Sequence, residues 1–445
     1  MSAGQREAFL SAFVVAGHQL WTVGGALRDE LLGVPGRDED FATDATPDQT
    51  EAIARGLRRS VQTVGRHFGT IGVRLDGRWS EVTTFRGDAY SDGTRWPDVT
   101  FGASIEEDLA RRDFTMNALA RNTATGRVLD LFGGAADIEA RLIRAVGEPV
   151  RRFTEDPLRI LRGIRFASEV GFAIEPETRE AMRQTAGLLA TLSQERVTAE
   201  LDRLLQGRAV AAGLGALAET GALAVVLPEL APIVGCEQNR FHRFDVWGHT
   251  VATVAAIGPS GPEGRVRRWA AFLHDLGKPY VRHTKTNGEW GFFRHETVGA
   301  DLAEGLLGRL KVAKAETRAV ALLVRRHMDR PNLDRRSVRR FMARSEGMWP
   351  DLVALKRADN ASHTYDDAAY HDALAALAAR IAVEDAAALR GESPLSGDDL
   401  VRIFGRAPGP WIKPVKARLS ALVLDGDLAP GDKEAAERVA RRMLR

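Results

Sequence analysis

The sequence predicts a multidomain protein with an α/β head and an all-α remainder, and three observations carry that prediction. Strand-like runs crowd into residues 1–146 and nearly vanish after about residue 147. Asp76-Gly77 lies between two runs of β-formers, Gly69–Leu75 and Trp79–Phe85, a strong hairpin signal. Further on, Ala, Leu, Arg and Glu recur at helical spacing, punctuated by Gly and Pro. A chain of 445 residues is too long for one ordinary core; domains of about 100–200 residues suggest about three.

Within the head, Leu20–Val23 reads as a short buried strand running into Gly24-Gly25 and then a helix over Ala26–Leu32. A second strand-like run carries Asp38 to Ala42. The expected division is a head over 1–146, a helical neck and body over 147–237, a histidine-bearing domain over 238–380 and a helical tail over 381–445. Its punctuation is Gly258–Gly264, Gly391–Gly397 and Ala407–Pro410, all loop-like.

Composition excludes several classes. The apolar fraction of 44% and charged fraction of 27% are those of a globular protein. No run approaches the roughly 20 apolar residues of a membrane span, and Met1–Leu10 lacks the pattern of a signal peptide. Cys236 is the single cysteine and forms no internal disulfide, so a cytoplasmic location is expected. The net charge of +2 does not announce a nucleic-acid binder. Only eight of the basic residues are Lys. Arginine's planar fork suits phosphates and base edges, although a GC-rich genome produces the same bias.

The run Val23–Pro47, VGGALRDELLGVPGRDEDFATDATP, carries the chemistry of the head. Glycines at a strand-to-helix turn let the backbone approach a phosphate, and the helix N-terminus adds partial positive charge. Arg28 lies one turn into that helix, within reach of the same phosphates. Asp38 and Asp40 stand two positions apart, so an extended strand turns both carboxylates to one face, where they can share divalent ions. In-line nucleotidyl transfer needs such a pair, with ions about 3.5–4 Å apart. Glu81, an acid among β-formers, is the candidate third carboxylate; a solvent-facing edge position is the plainer reading.

These residues resemble the catalytic signature of bacterial class II CCA-adding enzymes and their poly(A)-polymerase relatives. Four more stretches are similar to that family: EEDLARRDFTMNALA (Glu106–Ala120), DLFGG (Asp130–Gly134), EDPLRILRGIRFA (Glu155–Ala167) and SQERV (Ser193–Val197). The likeness runs over roughly residues 18–205 and recurs weakly in Gly409–Gly426. It implies a polymerase-β-like nucleotidyltransferase head that adds C, C and A to tRNA 3′ ends from CTP and ATP. It further implies that Gly24, Gly25 and Arg28 hold the triphosphate and that Asp38 and Asp40 bind magnesium. Arg112 would contact phosphate, Asp113 and Asn117 would fix the ribose, and Asp156 and Arg159 would read the base, supported by Arg162 and Arg165.

The residues of that last helix carry their own reading. Thr154 is a good N-cap, Glu155 and Asp156 suit the first turn, and Pro157 is tolerated only that early. Asp156, Arg159 and Arg162, three residues apart, fall within roughly a 120° arc. One carboxylate and one guanidinium can mimic a Watson–Crick edge that accepts C and A but not G or U. A surface ladder of ion pairs is the bland alternative.

Five of the ten histidines fall between 249 and 327. His249, the pair His274-Asp275, His295, His327 and Asp359 resemble, in order, the ligands of HD-family metal phosphohydrolases. Neutral imidazoles with carboxylates suit a divalent Mn, Ni, Fe or Zn ion. The resemblance implies hydrolysis of phosphoesters such as a 2′,3′-cyclic phosphate or an RNA-end phosphate. Lys278 is expected to be exposed, and His242, His363 and His371 are not expected among the ligands.

Several outcomes stay open. An enzyme adding only the terminal A, or a poly(A) polymerase, shares the same chemistry. GDAYSDGTRWPDVTFG (Gly87–Gly102) keeps about the full length of a loop whose loss marks CC-only members, which argues against CC addition alone. An HD phosphohydrolase with a noncatalytic RNA-binding N-terminal half is the reading of another class, and a noncatalytic adaptor is a third. Pro414 is expected to end or bend a helix in the tail, which is expected to grip tRNA by shape and phosphate. Oligomeric state is left open.

Overall fold

The computed structural model describes residues 3–34, 39–89, 98–258 and 261–444. They form two compact units, Met1–Val226 and Leu227–Arg445.

The first unit is built on a seven-stranded mixed sheet. Its strands are β1 (Leu20–Val23), β2 (Asp40–Thr43), β3 (Val61–Gln62), β4 (Thr70–Leu75), β5 (Arg78–Thr84), β8 (Leu119–Asn122) and β9 (Val128–Asp130). Their order is β3-β4-β5-β2-β1-β8-β9. A separate two-stranded ribbon pairs β6 (Arg86–Ala89) with β7 (Asp98–Phe101). The expected hairpin is β4 and β5, with Leu75 opposite Arg78. Its turn residues Asp76 and Gly77 have φ of 47° and 84°, the pattern of a type I′ turn. Both faces of the sheet are covered. Phe9, Phe13, Leu20, Phe41, Ile71, Val73 and Val82 pack on one, and Trp21, Val23, Ala42, Phe85, Ile105 and Leu109 on the other.

The rest of this unit is helical apart from the short strand pair Leu142–Ile143 and Ala173–Ile174. The helix Leu158–Val170 is its centre, and Ile160, Leu161 and Ile164 are buried along it. It begins later than expected. Thr154 belongs to the preceding helix Pro149–Glu155, and its hydroxyl bonds back to the Val150 carbonyl. Asp156 is extended (φ −142°, ψ 99°) between the two helices. Pro157 is the physical reason, because it disfavours helical backbone at the residue before it. The expected three-residue face therefore holds for Arg159 and Arg162 but not for Asp156.

Close approach of this helix to the head requires a glycine. A Cβ on Gly163 would lie 2.7 Å from Phe114 Cζ and 2.5 Å from Met182 Cε.

Among the described residues the second unit is helices and loops apart from the strand pair His283–Thr284 and Trp290–Gly291 and an isolated bridge between His242 and His363. Helices Val246–Ile257, Gly261–Leu273, His295–Arg309, Lys314–Arg326 and Trp349–Asn360 surround its histidines. A helix starts at Gly261, so the expected loop Gly258–Gly264 is shorter than its composition implied. The tail has its own core of Leu400, Val415, Leu419, Val423, Ala436 and Ala440. Pro414 does not break it. It is the third residue of the helix Ile412–Asp425, where its missing N–H has no intrahelical partner in any case.

Substituting Gly163→Ala should overpack this contact and lower stability by about 1–3 kcal/mol, read as an earlier urea transition of the first unit.

Candidate functional sites

The head site starts where β1 ends. Gly24 has φ 71° and ψ −133°, open to glycine but strained for other residues, and the helix Gly25–Leu31 follows. A Cβ on Gly24 would also lie 3.1 Å from Arg112 Nη1, so the guanidinium sits directly against the turn. Arg112 Nη1 donates to the Asn117 carbonyl at 3.2 Å and Nη2 to Asp108 Oδ2 at 3.2 Å. Its Nε is buried without a hydrogen-bond partner. Arg28 donates to Asn117 Oδ1 at 3.0 Å and to Asp29. Gly24, Gly25, Arg28, Arg112 and Asn117 thus form one wall.

Asp113 ties this wall to the helix Leu158–Val170. Its Oδ1 accepts from Asn117 Nδ2 at 3.1 Å and from the Phe114 N–H at 2.8 Å. Its Oδ2 accepts from Arg162 Nε at 2.8 Å. Burial alone would raise its pKa, but the Arg162 charge and these hydrogen bonds outweigh that and hold it at about 2. Arg165 is buried, bonded to Glu200 at 2.6 Å and Glu169 at 2.7 Å, with its guanidinium 4.0 Å from the Phe166 ring centroid. It fastens the same helix to Gln194–Leu205.

Asp40 opens β2 opposite Val23. β2 runs parallel to β5 with Phe41 opposite Val82, and continuing that register by one residue brings Asp40 beside Glu81. Both stand on the face away from Phe41 and Val82. Glu81 is exposed, and its strand lies inside the sheet between β4 and β2, not at an edge. Asp38 lies outside the described residues, as do 90–97 of the expected loop.

The expected base-reading pair, Asp156 and Arg159, is engaged within the protein. Asp156 accepts from Arg196 Nη2 at 3.2 and 3.3 Å and from the Leu158 N–H at 3.2 Å. Arg159 is 6% exposed and donates to the carbonyls of Arg111 (2.9 Å) and Arg152 (3.2 Å) and to Glu155. Two residues that sequence reasoning passed over matter here. Arg196 holds Asp156, and fully buried Asp108 holds Arg111 and Arg112. Asp108 was findable from its i,i+3 and i,i+4 spacing to two arginines; Arg196, 40 residues from its partner, was not.

In the second unit all six expected ligands converge. His249 Nε2 lies 3.1 Å from His274 Nε2, 2.9 Å from Asp359 Oδ1 and 3.4 Å from Asp275 Oδ2. Metal bonds of about 2.1 Å at right angles would put neighbouring donors about 3 Å apart. On the other side, Asp275 Oδ1 lies 3.4 Å from His295 Nε2 and 3.8 Å from His327 Nε2, and those two nitrogens are 3.2 Å apart. Asp275 therefore faces two donor sets, one with each oxygen.

The tautomers fit metal binding. Nδ1 of His274, His295 and His327 meets the carbonyls of Ala271, Phe292 and Val324 at 2.7, 2.8 and 2.6 Å. Each Nδ1 must donate, which leaves Nε2 as a lone pair aimed at the cluster in the neutral ring. Burial holds His327 neutral, its pKa pushed down to about 3. Two lone pairs 3.2 Å apart repel unless a cation lies between them, so this donor set fits a divalent metal ion. Lys278 corrects an expectation: it is buried, with Nζ 2.6 Å from Asp275 Oδ2 and bonded to Gln238. Its charge is matched by the carboxylate shared between the two sets. His242 and His363 also pack against His249, at centroid distances of 4.9 and 5.4 Å.

Comparison with known proteins gives matching family models. Residues 20–144 match the poly A polymerase head domain, 171–234 the probable RNA- and SrmB-binding site of polymerase A, and 246–363 the HD domain. The chain is 35% identical over 419 residues to a CCA-adding enzyme of Geobacillus stearothermophilus, covering 93% of this chain and 90% of that one. It is 35% identical over 412 residues to an A-adding tRNA nucleotidyltransferase of Deinococcus radiodurans, covering 89% and 90%. A CC-adding enzyme is also among the relatives. The crystal structure of the Bacillus stearothermophilus CCA-adding enzyme in complex with CTP superposes with a TM-score of 0.73 at 29% identity, covering 99% of this chain and 97% of that one.

Because metal binds the folded donor set, adding Mn²⁺ to chelator-stripped protein should raise the melting temperature of the second unit. At 100 times the Kd the gain is about 2.7 kcal/mol, and His274→Ala should abolish it; scanning calorimetry checks both.

Proposed function

The chain belongs to the CCA-adding family of tRNA nucleotidyltransferases and poly(A) polymerases, and on that premise we propose that it adds C, C and A in turn to tRNA 3′ ends. The observation that carries this is the assembled wall of the head. Arg112 sets Nη1 against the Gly24 turn and keeps a buried Nε without a partner, with Arg28 and Asn117 bonded beside it and Asp40 adjoining Val23. Such donors can hold the triphosphate of CTP or ATP.

Magnesium at Asp38 and Asp40, with Glu81 as third carboxylate, would supply activation of the tRNA 3′-hydroxyl and neutralisation of the departing pyrophosphate. The 3′-oxygen bonds to the α-phosphorus as the bond to pyrophosphate breaks. Gly24, Gly25, Arg28 and Arg112 keep the triphosphate in line. Asn117 meets the ribose, and Asp113 orients Asn117 and Arg162. For base selection, the exocyclic amine of C or A takes the place of Arg196 at Asp156, and Arg159 donates to the ring acceptor. A base with a carbonyl there would leave Asp156 facing an acceptor, which costs an unmade charged hydrogen bond.

The second unit is read as a phosphohydrolase for RNA-end phosphates. His249, His274, Asp275 and Asp359 would hold one divalent ion of the Mn, Ni, Fe or Zn kind, and Asp275, His295 and His327 a second. Such ions supply polarisation of a phosphoryl oxygen and an acidified water. The reading divides the chain into head, neck and body, HD domain and tRNA-gripping tail, at about residues 146, 237 and 380. Among the described residues no helix is long and apolar enough to cross a membrane, and tRNA as substrate fits a cytoplasmic location. Addition of A alone is the second reading; an A-adding relative is 35% identical, but the CCA-adding relatives, one of them 48% identical over 212 residues, favour the full sequence C, C, A.

The test incubates the protein and magnesium with tRNA transcripts ending in the discriminator base, in C, or in CC, with CTP, ATP or both. Products are sized to single nucleotides. The expected ladder is C, C, A and then a stop. A added only to the CC end would mean an A-adding enzyme, a long A ladder a poly(A) polymerase, and no addition would remove the transferase reading. Asp40→Ala should reduce addition to background while sparing cyclic-phosphate hydrolysis, and His274→Ala should do the reverse.

A further inference from the structure

We propose that the metal centre of the second unit carries a nucleoside-binding lip, made by Phe241, Tyr365, His242 and His363. It would seat the terminal nucleotide of an RNA whose ribose bears the phosphate to be cleaved. The proposal rests on the phosphohydrolase reading of this centre and names what that centre recognises besides phosphate.

A column of rings leads from a metal-ligand position to the surface. The His249 ring stacks on His363 with centroids 5.4 Å apart and planes 2° apart. His363 stacks in turn on Tyr365, at 5.1 Å and 25°. Tyr365 is 46% exposed, and Phe241, 44% exposed, meets it edge-on with centroids 6.1 Å apart. Two large aromatic side chains half in water, touching one another, form a ready face for a base, since every base has a π-face to stack. Two ring-to-ring steps, of 5.1 and 5.4 Å, lead from Tyr365 to His249.

The backbone holds this lip in place. The Thr364 N–H donates to the Phe241 carbonyl at 3.0 Å, and His242 pairs with His363 as an isolated antiparallel bridge. The segment before the first ligand helix is thus tied to the segment after Asp359. The Arg240 guanidinium lies 5.2 Å from the Phe241 ring centroid, adding positive charge beside the lip.

The second observation concerns His242 and His363, two imidazoles outside the two metal sets above, whose ligand atoms also converge with one of His249. Nδ1 of His242 and Nδ1 of His363 are both buried with no hydrogen-bond partner. Their rings lie 4.7 Å apart, and each packs on His249. Polar nitrogens left unpaired beside a phosphate-cleaving centre are unfavourable in the protein alone and are satisfied when a ligand supplies the partner. Ribose hydroxyls and phosphoryl oxygens both do so. Cleavage of a cyclic ester then balances simply: water oxygen bonds to phosphorus, one ribose P–O bond breaks, and the freed ribose oxygen takes the proton.

The test compares adenosine 2′,3′-cyclic phosphate with its base-free analogue, methyl ribofuranoside 2′,3′-cyclic phosphate. Mn²⁺-loaded full-length protein is used, with hydrolysis and calorimetric binding both measured. Tyr365→Leu should raise KM and Kd for the adenosine compound about 10-fold, as loss of one stacking contact predicts. kcat and both constants for the base-free compound should stay unchanged, and Tyr365→Phe should restore the wild-type values. Phe241→Leu should shift the same constants in the same direction. Equal constants for the two compounds in the wild type, or an equal shift of both in Tyr365→Leu, would overturn the lip while leaving the phosphohydrolase reading intact. A binding preference for adenosine lost in Tyr365→Leu, with no hydrolysis of either compound, would support the lip and remove the phosphohydrolase reading.

Discussion

The ion pair between Asp113 and Arg162 is the constraint on which the first unit depends. A carboxylate that is 7% exposed is tolerable only with its charge compensated and its oxygens engaged. Arg162, the Asn117 amide and the Phe114 N–H together do this. Asp113 is buried but the Arg162 side chain is 36% exposed, so solvent screening brings the cost of removing one partner below the roughly 3–5 kcal/mol of a fully buried pair. Through Asn117 the same carboxylate reaches Arg28 on the helix behind the Gly24 turn. Through Arg162 it reaches the helix that carries Arg159 and Arg165. The residues proposed to hold phosphate and those proposed to read the base are thereby joined in one hydrogen-bonded unit drawn from three separate stretches of sequence.

The second unit solves a related problem in the opposite way. Its imidazoles have their orientation fixed by donating Nδ1 to main-chain carbonyls at helix ends, which turns Nε2 of His274, His295 and His327 toward the cluster. Asp275 supplies negative charge to both donor sets; burial alone would raise its pKa, but the neighbouring His274 and then Lys278 hold it well below the usual carboxylate range. In the head, burial strengthens a fixed ion pair; here it gathers imidazole nitrogens and carboxylates into an arrangement that fits a divalent cation.

Much of this was legible in the sequence, and the exceptions share a cause. The Asp76-Gly77 hairpin, the glycine turn and the six metal-ligand positions were readable because residue type and local spacing determine them. The helix break at Asp156 was missed because a good N-cap at Thr154 competed with the effect of Pro157 on its neighbour, and the neighbour effect won. Lys278 was expected in water although its i,i+3 partner Asp275 was in view, because its second partner, Gln238, lies 40 residues away and nothing local marks the site as buried. The Arg196 contact to Asp156 is equally non-local. Pro414 shows the reverse error, since the same residue that breaks a helix interior is harmless in the first turn.

The most direct measurement of the account is a double-mutant cycle on Asp113 and Arg162, read as kcat/KM for CTP addition to a tRNA transcript ending in its discriminator base. Asp113→Asn and Arg162→Gln are made singly and together, with unfolding followed in parallel to confirm that each variant is folded. If the pair links the two functions, each single change lowers kcat/KM by about 10²-fold and the double change lowers it no further. Losses that multiply would mean that the two residues act independently, and the head and the selecting helix would then not form one unit.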